Sequence, residues 1–149
     1  GLSSRTARIR LDGYQRMFDA VADRRETVGN RRAVLNLHSG DAWCNGVLVT
    51  DLSPSEFGIY ARRETTYRFE LVDSEAVTCY ENESVEFPDE IIVASDAPRH
   101  ADVKPIPSYV KTCLLGARQW GETFYEEFLE TTAVASGESL RSYLDIDPR

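Results

Sequence analysis

The sequence contains very little lysine. Lys104 and Lys111 are the only two among 17 basic residues, and they stand against 25 acidic residues in a chain of 149, for a net charge of −8. An acidic surface repels the phosphates of nucleic acids and of anionic membranes. The composition therefore argues against nucleic acid and membranes as partners.

Long apolar runs and cysteine pairs are also missing. No run reaches the roughly 20 apolar residues that span a bilayer, and the first ten residues lack the apolar stretch of a signal peptide. A cytoplasmic location is therefore expected. Cys44, Cys79 and Cys113 form no CxxC pair, which argues against a disulfide framework or a zinc site and favours small, buried apolar side chains.

Several motifs of known chemistry are absent. The sequence has no glycine-rich phosphate loop and no GxSxG elbow. His38 and His100 stand in no catalytic pattern, so we interpret them as loop or turn histidines. The arginine pairs at 24–25 and 31–32 are interpreted as solvated loop charge. The sequence thus predicts no cofactor and no metal.

Segments that alternate between apolar and polar residues dominate the first two thirds of the chain. The predicted strands are residues 7–18, 32–38, 42–50, 67–73, 75–81 and 90–95. The turn signal Ser-Gly-Asp predicts a hairpin between the second and third strands. A short turn predicts another hairpin between the fourth and fifth.

Helical signals stand in the middle and at the end of the chain. Ser53 can cap a helix, Pro54 suits its first position and Glu56 can close a capping box, so a helix is predicted to run to about Arg63. Apolar residues recur at helical spacing on both sides of an interruption at Gly121. A short third helix is predicted in the tail.

The order of these elements predicts the architecture. Strands first and helices last favour an α+β fold with a mostly antiparallel sheet. A chain of this length is expected to form a single domain, residues 1–149, with a tail at 133–149.

A single acid stands where the middle helix gives way to a strand, in the stretch YARRETTYRFELV at 60–72. Glu64 could pair with Arg62, Arg63 or Arg68 at the surface, an interaction worth about 0–1 kcal/mol. It could instead point into a cleft beside the sheet. Residue type and spacing alone favour the ion pair.

Five segments follow one another in a familiar order. They are RIRLDGYQRMF, AVLNL, WCNGVLVTDLS, RRETTYRFELV and PIPSYVKTCLLGARQWGETFYEEFLETT. Together, over roughly residues 7–132, they resemble the γ-glutamylcyclotransferase-like family, which includes the ChaC-type proteins. The resemblance implies a small, partly closed β-barrel with the C-terminal helices packed against it.

The resemblance also implies a reaction and its residues. Glu64 matches the family's catalytic glutamate, and Tyr67 and Tyr109 match two tyrosines that line the substrate pocket. Asn36 and Gly46 match positions with expected structural roles. The implied reaction is the cyclisation of a γ-glutamyl amide to 5-oxoproline and a free amine, with Glu64 as general acid and base.

One family feature has no counterpart. The family's first strand ends in a YGSL-type turn whose backbone N–H groups hold the glutamyl portion, whereas this chain begins GLSSRTARIR. We therefore expect either an N-terminally incomplete chain or a member that lost the loop. An unpaired strand edge would favour a homo-oligomer. The alternatives are a non-catalytic relative that binds a small molecule or a protein, and an amidotransferase-like variant that removes a γ-glutamyl protecting group.

Overall fold

The computed structural model describes residues 5–21, 32–63, 67–81, 83, 86 and 89–146. The strands are β1 (Arg5–Val21), β2 (Arg32–Thr50), β3 (Arg68–Asp73), β4 (Val77–Cys79), β5 (Glu90–Ser95), β6 (Lys104–Pro105) and β7 (Thr132–Val134). The helices are α1 (Pro54–Arg63), α2 (Pro107–Gln119), α3 (Glu122–Thr131) and α4 (Leu140–Tyr143). The predicted α+β class is confirmed.

The strands form two sheets. The larger has the order β4-β1-β2-β6, with β7 also pairing with β1, and the smaller consists of β3 and β5. The pairs β1–β2, β1–β4 and β3–β5 are antiparallel, whereas β1–β7 and β2–β6 are parallel. The larger sheet is therefore mixed. Within the described ranges the strands do not close into a barrel.

The hairpin predicted within residues 32–50 is wrong. β2 continues through the Ser-Gly-Asp signal and pairs with β1 on both sides of it. At that point one residue of β1, Gly13, stands opposite three residues of β2, 40–42, so the signal marks a bulge. Gly13 has a φ of 92°, a conformation that glycine adopts readily. Turn residues are tolerated at bulges as well as at turns, which explains the error.

The second predicted hairpin is also wrong. β3 pairs with β5, and β4 pairs with β1. Between β3 and β4 a short 3-10 turn, Ser74–Ala76, is capped by Asp73, whose carboxylate accepts a hydrogen bond from Glu75 N at 2.8 Å. The turn carries the chain from the smaller sheet to the larger. The alternation of apolar and polar residues correctly predicted that β3 and β4 are strands. It contained no information about which strands they pair with.

The predicted start of α1 is confirmed in detail. Ser53 Oγ accepts a hydrogen bond from Glu56 N at 3.1 Å, and Glu56 Oε1 accepts one from Ser53 N at 3.2 Å. This reciprocal pair is a capping box, with Pro54 at the first helical position. The predicted break between the later helices is confirmed as well, because Gly121, with a φ of 112°, separates α2 from α3.

Two apolar clusters hold the fold together. The first packs α2, α3 and α4 against β1, with Phe18, Leu129 and Leu140 fully buried. The second lies among β1, β2, β4 and β5 and includes Leu11 and Val93. The second cluster joins the two sheets and borders the cavity described below. None of the described helices has the length and apolar character needed to cross a membrane.

Candidate functional site

A cavity of about 990 Å³ is bordered by both sheets, α1 and the first turn of α2. Its wall includes Leu35, Val47, Phe57, Val93 and Tyr109, and we call it the central cavity. Small-molecule sites in proteins have volumes of about 300–1,000 Å³ and mostly apolar walls with a few polar groups. The central cavity has the size and the lining of such a site.

The two tyrosines predicted from the sequence both line the central cavity. The Tyr67 hydroxyl donates a hydrogen bond to the Leu35 carbonyl oxygen. The Tyr109 ring meets the edge of Phe18, with 6.1 Å between the ring centroids. Burial raises the pKa of Tyr109, and the neighbouring Cys113 thiol and Tyr67 phenol raise it further. Tyr109 therefore keeps its proton and can donate it to a hydrogen bond.

Glu64, the predicted catalytic residue, lies outside the described residues. α1 ends at Arg63, and its Tyr60 side chain lines the central cavity. The next described residue after the gap is Tyr67, which lines the same cavity. The described residues Tyr60 and Tyr67, before and after this gap, thus both line the central cavity.

Arg16 of β1 is a cavity residue that the sequence reasoning missed. Its side chain lines the cavity, and the residue is only 8% exposed. Nη1 donates to Asn45 Oδ1 at 2.9 Å and to Thr132 Oγ1 at 3.1 Å, and Cζ lies 4.6 Å from the centroid of the Phe128 ring. Burial lowers the pKa of Arg16, because it penalises the charged form.

Asn45 of β2 holds this guanidinium in place. Its Nδ2 donates to the Phe124 carbonyl oxygen at 2.8 Å and to the Tyr80 hydroxyl at 3.2 Å. With both amide hydrogens engaged, Asn45 turns its oxygen toward Arg16. The orientation of Asn45 is therefore fixed by α3 and by the residue that follows β4.

The chain matches no protein-family model and no curated protein. The basis for a proposed function is therefore the central cavity and its residues, together with the resemblance of the five segments.

The two positions expected to be structural differ in their surroundings. Asn36 Nδ2 donates to Asp19 Oδ1 at 3.1 Å and to the Ala97 carbonyl oxygen at 3.0 Å, while its Oδ1 accepts from Ala97 N at 3.1 Å. Asn36 thus ties β1 and β2 to the segment after β5. Gly46 lines the central cavity, and an added Cβ would meet Ile9 Cδ1 at 3.9 Å, an ordinary contact distance.

The interpretation of His38 as a loop or turn histidine is wrong. His38 is buried in β2, and its Nε2 lies 2.6 Å from Asp19 Oδ2. Asp19 Oδ2 also accepts from Arg99 Nε at 3.3 Å. The error has the same origin as the false hairpin, since the strand continues past His38 where a turn was predicted. His100 lies in the irregular segment after β5, as expected.

Proposed function

We propose that this protein is a γ-glutamylcyclotransferase-like enzyme that converts a γ-glutamyl amide into 5-oxoproline and a free amine. The supporting observation is the central cavity, because both tyrosines matched to the family line it. The cavity is large enough for a small γ-glutamyl compound.

In the proposed reaction the substrate reacts with itself. The α-amino nitrogen attacks the γ-carbonyl carbon and forms the bond that closes a five-membered ring. The bond from that carbon to the amide nitrogen breaks, and the nitrogen leaves as a free amine. The attacking nitrogen loses two protons as it changes from an ammonium to the ring N–H. Glu64 accepts them in turn and passes both to the leaving nitrogen, which departs as an ammonium ion, so the protons balance. Nucleophile and electrophile share one molecule, so the protein mainly holds the substrate in the reactive shape.

The two tyrosines have different proposed roles. Tyr67 uses its hydrogen on the Leu35 carbonyl and shapes the wall. Tyr109, a phenol that is protonated at neutral pH, donates a hydrogen bond to the γ-carbonyl oxygen as negative charge develops there.

We also propose that the two sheets form the walls of a partly closed barrel. The second apolar cluster joins residues of β1 and β2 in the larger sheet to Ile91 and Val93 of β5 in the smaller one. The cavity is bordered by both sheets, as the interior of such a barrel would be.

A non-catalytic relative that binds a small molecule is the second candidate. The buried Arg16, held by Asn45 and Thr132, offers a polar anchor that needs no catalytic group. Such a protein would use the same cavity without turnover.

An assay of the wild-type protein separates the two functions. We expect a panel of γ-glutamyl amides to release 5-oxoproline, measured by mass spectrometry, in proportion to the protein added. Saturable binding of these compounds without 5-oxoproline would support the binding protein. If the protein shows neither turnover nor binding of these compounds, both candidate functions are contradicted.

The smaller sheet supports a proposal of self-association. In the described part of the chain β3 and β5 pair only with each other, and unpaired strand edges favour association. Leu71 and its cross-strand partner Ile92 are 66% and 49% exposed. We expect sedimentation equilibrium to show a homo-oligomer that Leu71→Lys weakens. Leu115→Lys on α2, also at an exposed leucine, is the control, and a wild-type monomer at every concentration would contradict the proposal.

A further inference from the structure

Arg16 brings a positive charge into the interior of the fold. None of the described carboxylates lies within ion-pair distance of it. Its neighbours are the neutral side chains of Asn45 and Thr132, the Phe128 ring and two thiols. A buried charge without a partner is costly to a folded protein, and a ligand of opposite charge would offset that cost.

The hydrogen bonds of Arg16 to the described residues use only one edge of the guanidinium. Both of the bonds that its side chain makes to described residues come from Nη1. The Nε and Nη2 groups form the other edge, whose parallel N–H bonds match the two oxygens of a carboxylate. Arg16 lines the central cavity, so a ligand for this edge would be held in that cavity.

Arg16 and Tyr109 share a neighbour in the Cys113 thiol. Burial raises the pKa of the Cys113 thiol, and both the Tyr109 hydroxyl and the Arg16 charge lower it. Both groups are therefore close to that thiol. Tyr109 and the apolar residues Phe57 and Val93 line the same cavity as Arg16.

We propose that Arg16 binds the carboxylate of a small ligand in the central cavity through its Nε and Nη2 groups. The identity of the ligand rests on the proposed function, under which this group is the α-carboxylate of the γ-glutamyl substrate. Arg16 would then supply an anchor for the glutamyl portion of that substrate. The substrate class is accordingly γ-glutamyl amides with a free α-carboxylate.

A purely structural role for Arg16 makes a different prediction. Its bonds to Asn45 and Thr132 join β1 to β2 and β7, and its stacking on Phe128 joins β1 to α3. If these contacts were its whole role, the cavity would show no preference for a carboxylate.

The decisive measurement uses two probes that cannot react. The monoanilide of glutaric acid has the carboxylate and the γ-amide of the substrate but no α-amine. Its counterpart has a primary amide in place of the carboxylate. We expect calorimetry to show that the wild-type protein binds the carboxylate about 10- to 100-fold more tightly, as charge-assisted hydrogen bonds imply.

Variants then assign the preference to Arg16. Arg16→Gln should abolish it, and Arg16→Lys should retain part of it, since lysine keeps the charge but not the fork. Arg118→Gln removes the same charge from an exposed residue of α2 outside the central cavity, and should leave the preference intact. If Arg16→Gln does not fold, the proposal is still tested by the binding of the two probes to the wild-type protein and to Arg16→Lys.

Three results would overturn the proposal. They are equal binding of both probes by the wild type, binding of neither at millimolar concentration, and a preference that survives in folded Arg16→Gln. The probes bind without turnover, so a carboxylate preference with no 5-oxoproline from true substrates would contradict the enzyme and leave the Arg16 site standing. Turnover of true substrates combined with equal binding of the two probes would support the enzyme and contradict the Arg16 site.

Discussion

Replacing Glu64 by glutamine is expected to lower the rate of 5-oxoproline release by about 10²–10⁴-fold, the usual contribution of a general acid–base group. Glutamine keeps the size and shape of the side chain but can neither accept the proton of the α-ammonium nor return it to the leaving amine. The thermal midpoint should hardly change, because the proposed role of the carboxylate is in the reaction and not in folding.

The structural alternative for Glu64 predicts the opposite pair of results. A carboxylate whose role is to pair with Arg62, Arg63 or Arg68 would lower the midpoint when replaced and leave turnover nearly intact. Both measurements are therefore needed on the same protein. The matched control is Glu75→Gln, because Glu75 is exposed in the 3-10 turn and does not line the central cavity. A Glu64→Gln protein that is as active as this control would contradict the assignment of Glu64 as the catalytic residue.

Asp19→Ala is expected to destabilise the fold by about 3–5 kcal/mol, the cost of removing one partner from a buried polar network. The Asp19 carboxylate is buried, with 3% of its side chain exposed, and it contacts Asn36 Nδ2 at 3.1 Å and His38 Nε2 at 2.6 Å. The substitution leaves both groups without this acceptor. At roughly 2–4 °C per kcal/mol for a chain of this size, the thermal midpoint should fall by about 6–20 °C.

Asp12→Ala is the control for this prediction. Asp12 belongs to the same strand but is exposed, and a surface substitution of this kind usually changes stability by no more than about 0.5 kcal/mol. Urea titration of the three proteins gives the comparison directly. Equal stability of the two variants would show that the Asp19 network contributes nothing measurable. Because Asn36 also lines the central cavity, the larger loss would show that this network supports the cavity wall.

Local signals were interpreted correctly where the structure depends on neighbours in the chain. The capping box of Ser53 and Glu56, the proline at the start of α1 and the break at Gly121 all involve residues within a few positions of one another. Such contacts form whatever the rest of the chain does, so the helices could be predicted.

Strand pairing could not be predicted in this way. The Ser-Gly-Asp signal at 39–41 would suit a hairpin turn, but its conformation is decided by β1, where Gly13 with its φ of 92° stands opposite the bulge. Likewise β3 alternates as a strand should, yet its partner is β5 and not the nearer β4. Both outcomes depend on residues distant in the sequence.

The same limit explains the missed arginine. An arginine in an alternating strand points to one face or the other, and the irregular pairing at Gly13 changes which face that is. The residues next to Arg16 in the sequence therefore did not determine whether its side chain is solvated or buried. Tyr67 and Tyr109 were found through the family resemblance, and their presence in one cavity became visible only in the structure.

The sequence by itself determined the α+β class, the helices and their starts, and the residue types available for chemistry, because these follow from composition and from contacts within a few residues. Only the tertiary structure decided that β2 is one strand, that β3 pairs with β5 and that Arg16 is buried beside the central cavity with Tyr67 and Tyr109. The physical reason is that strand partners and buried charges are selected by packing between distant segments, and that packing has no signature in any single stretch of the chain.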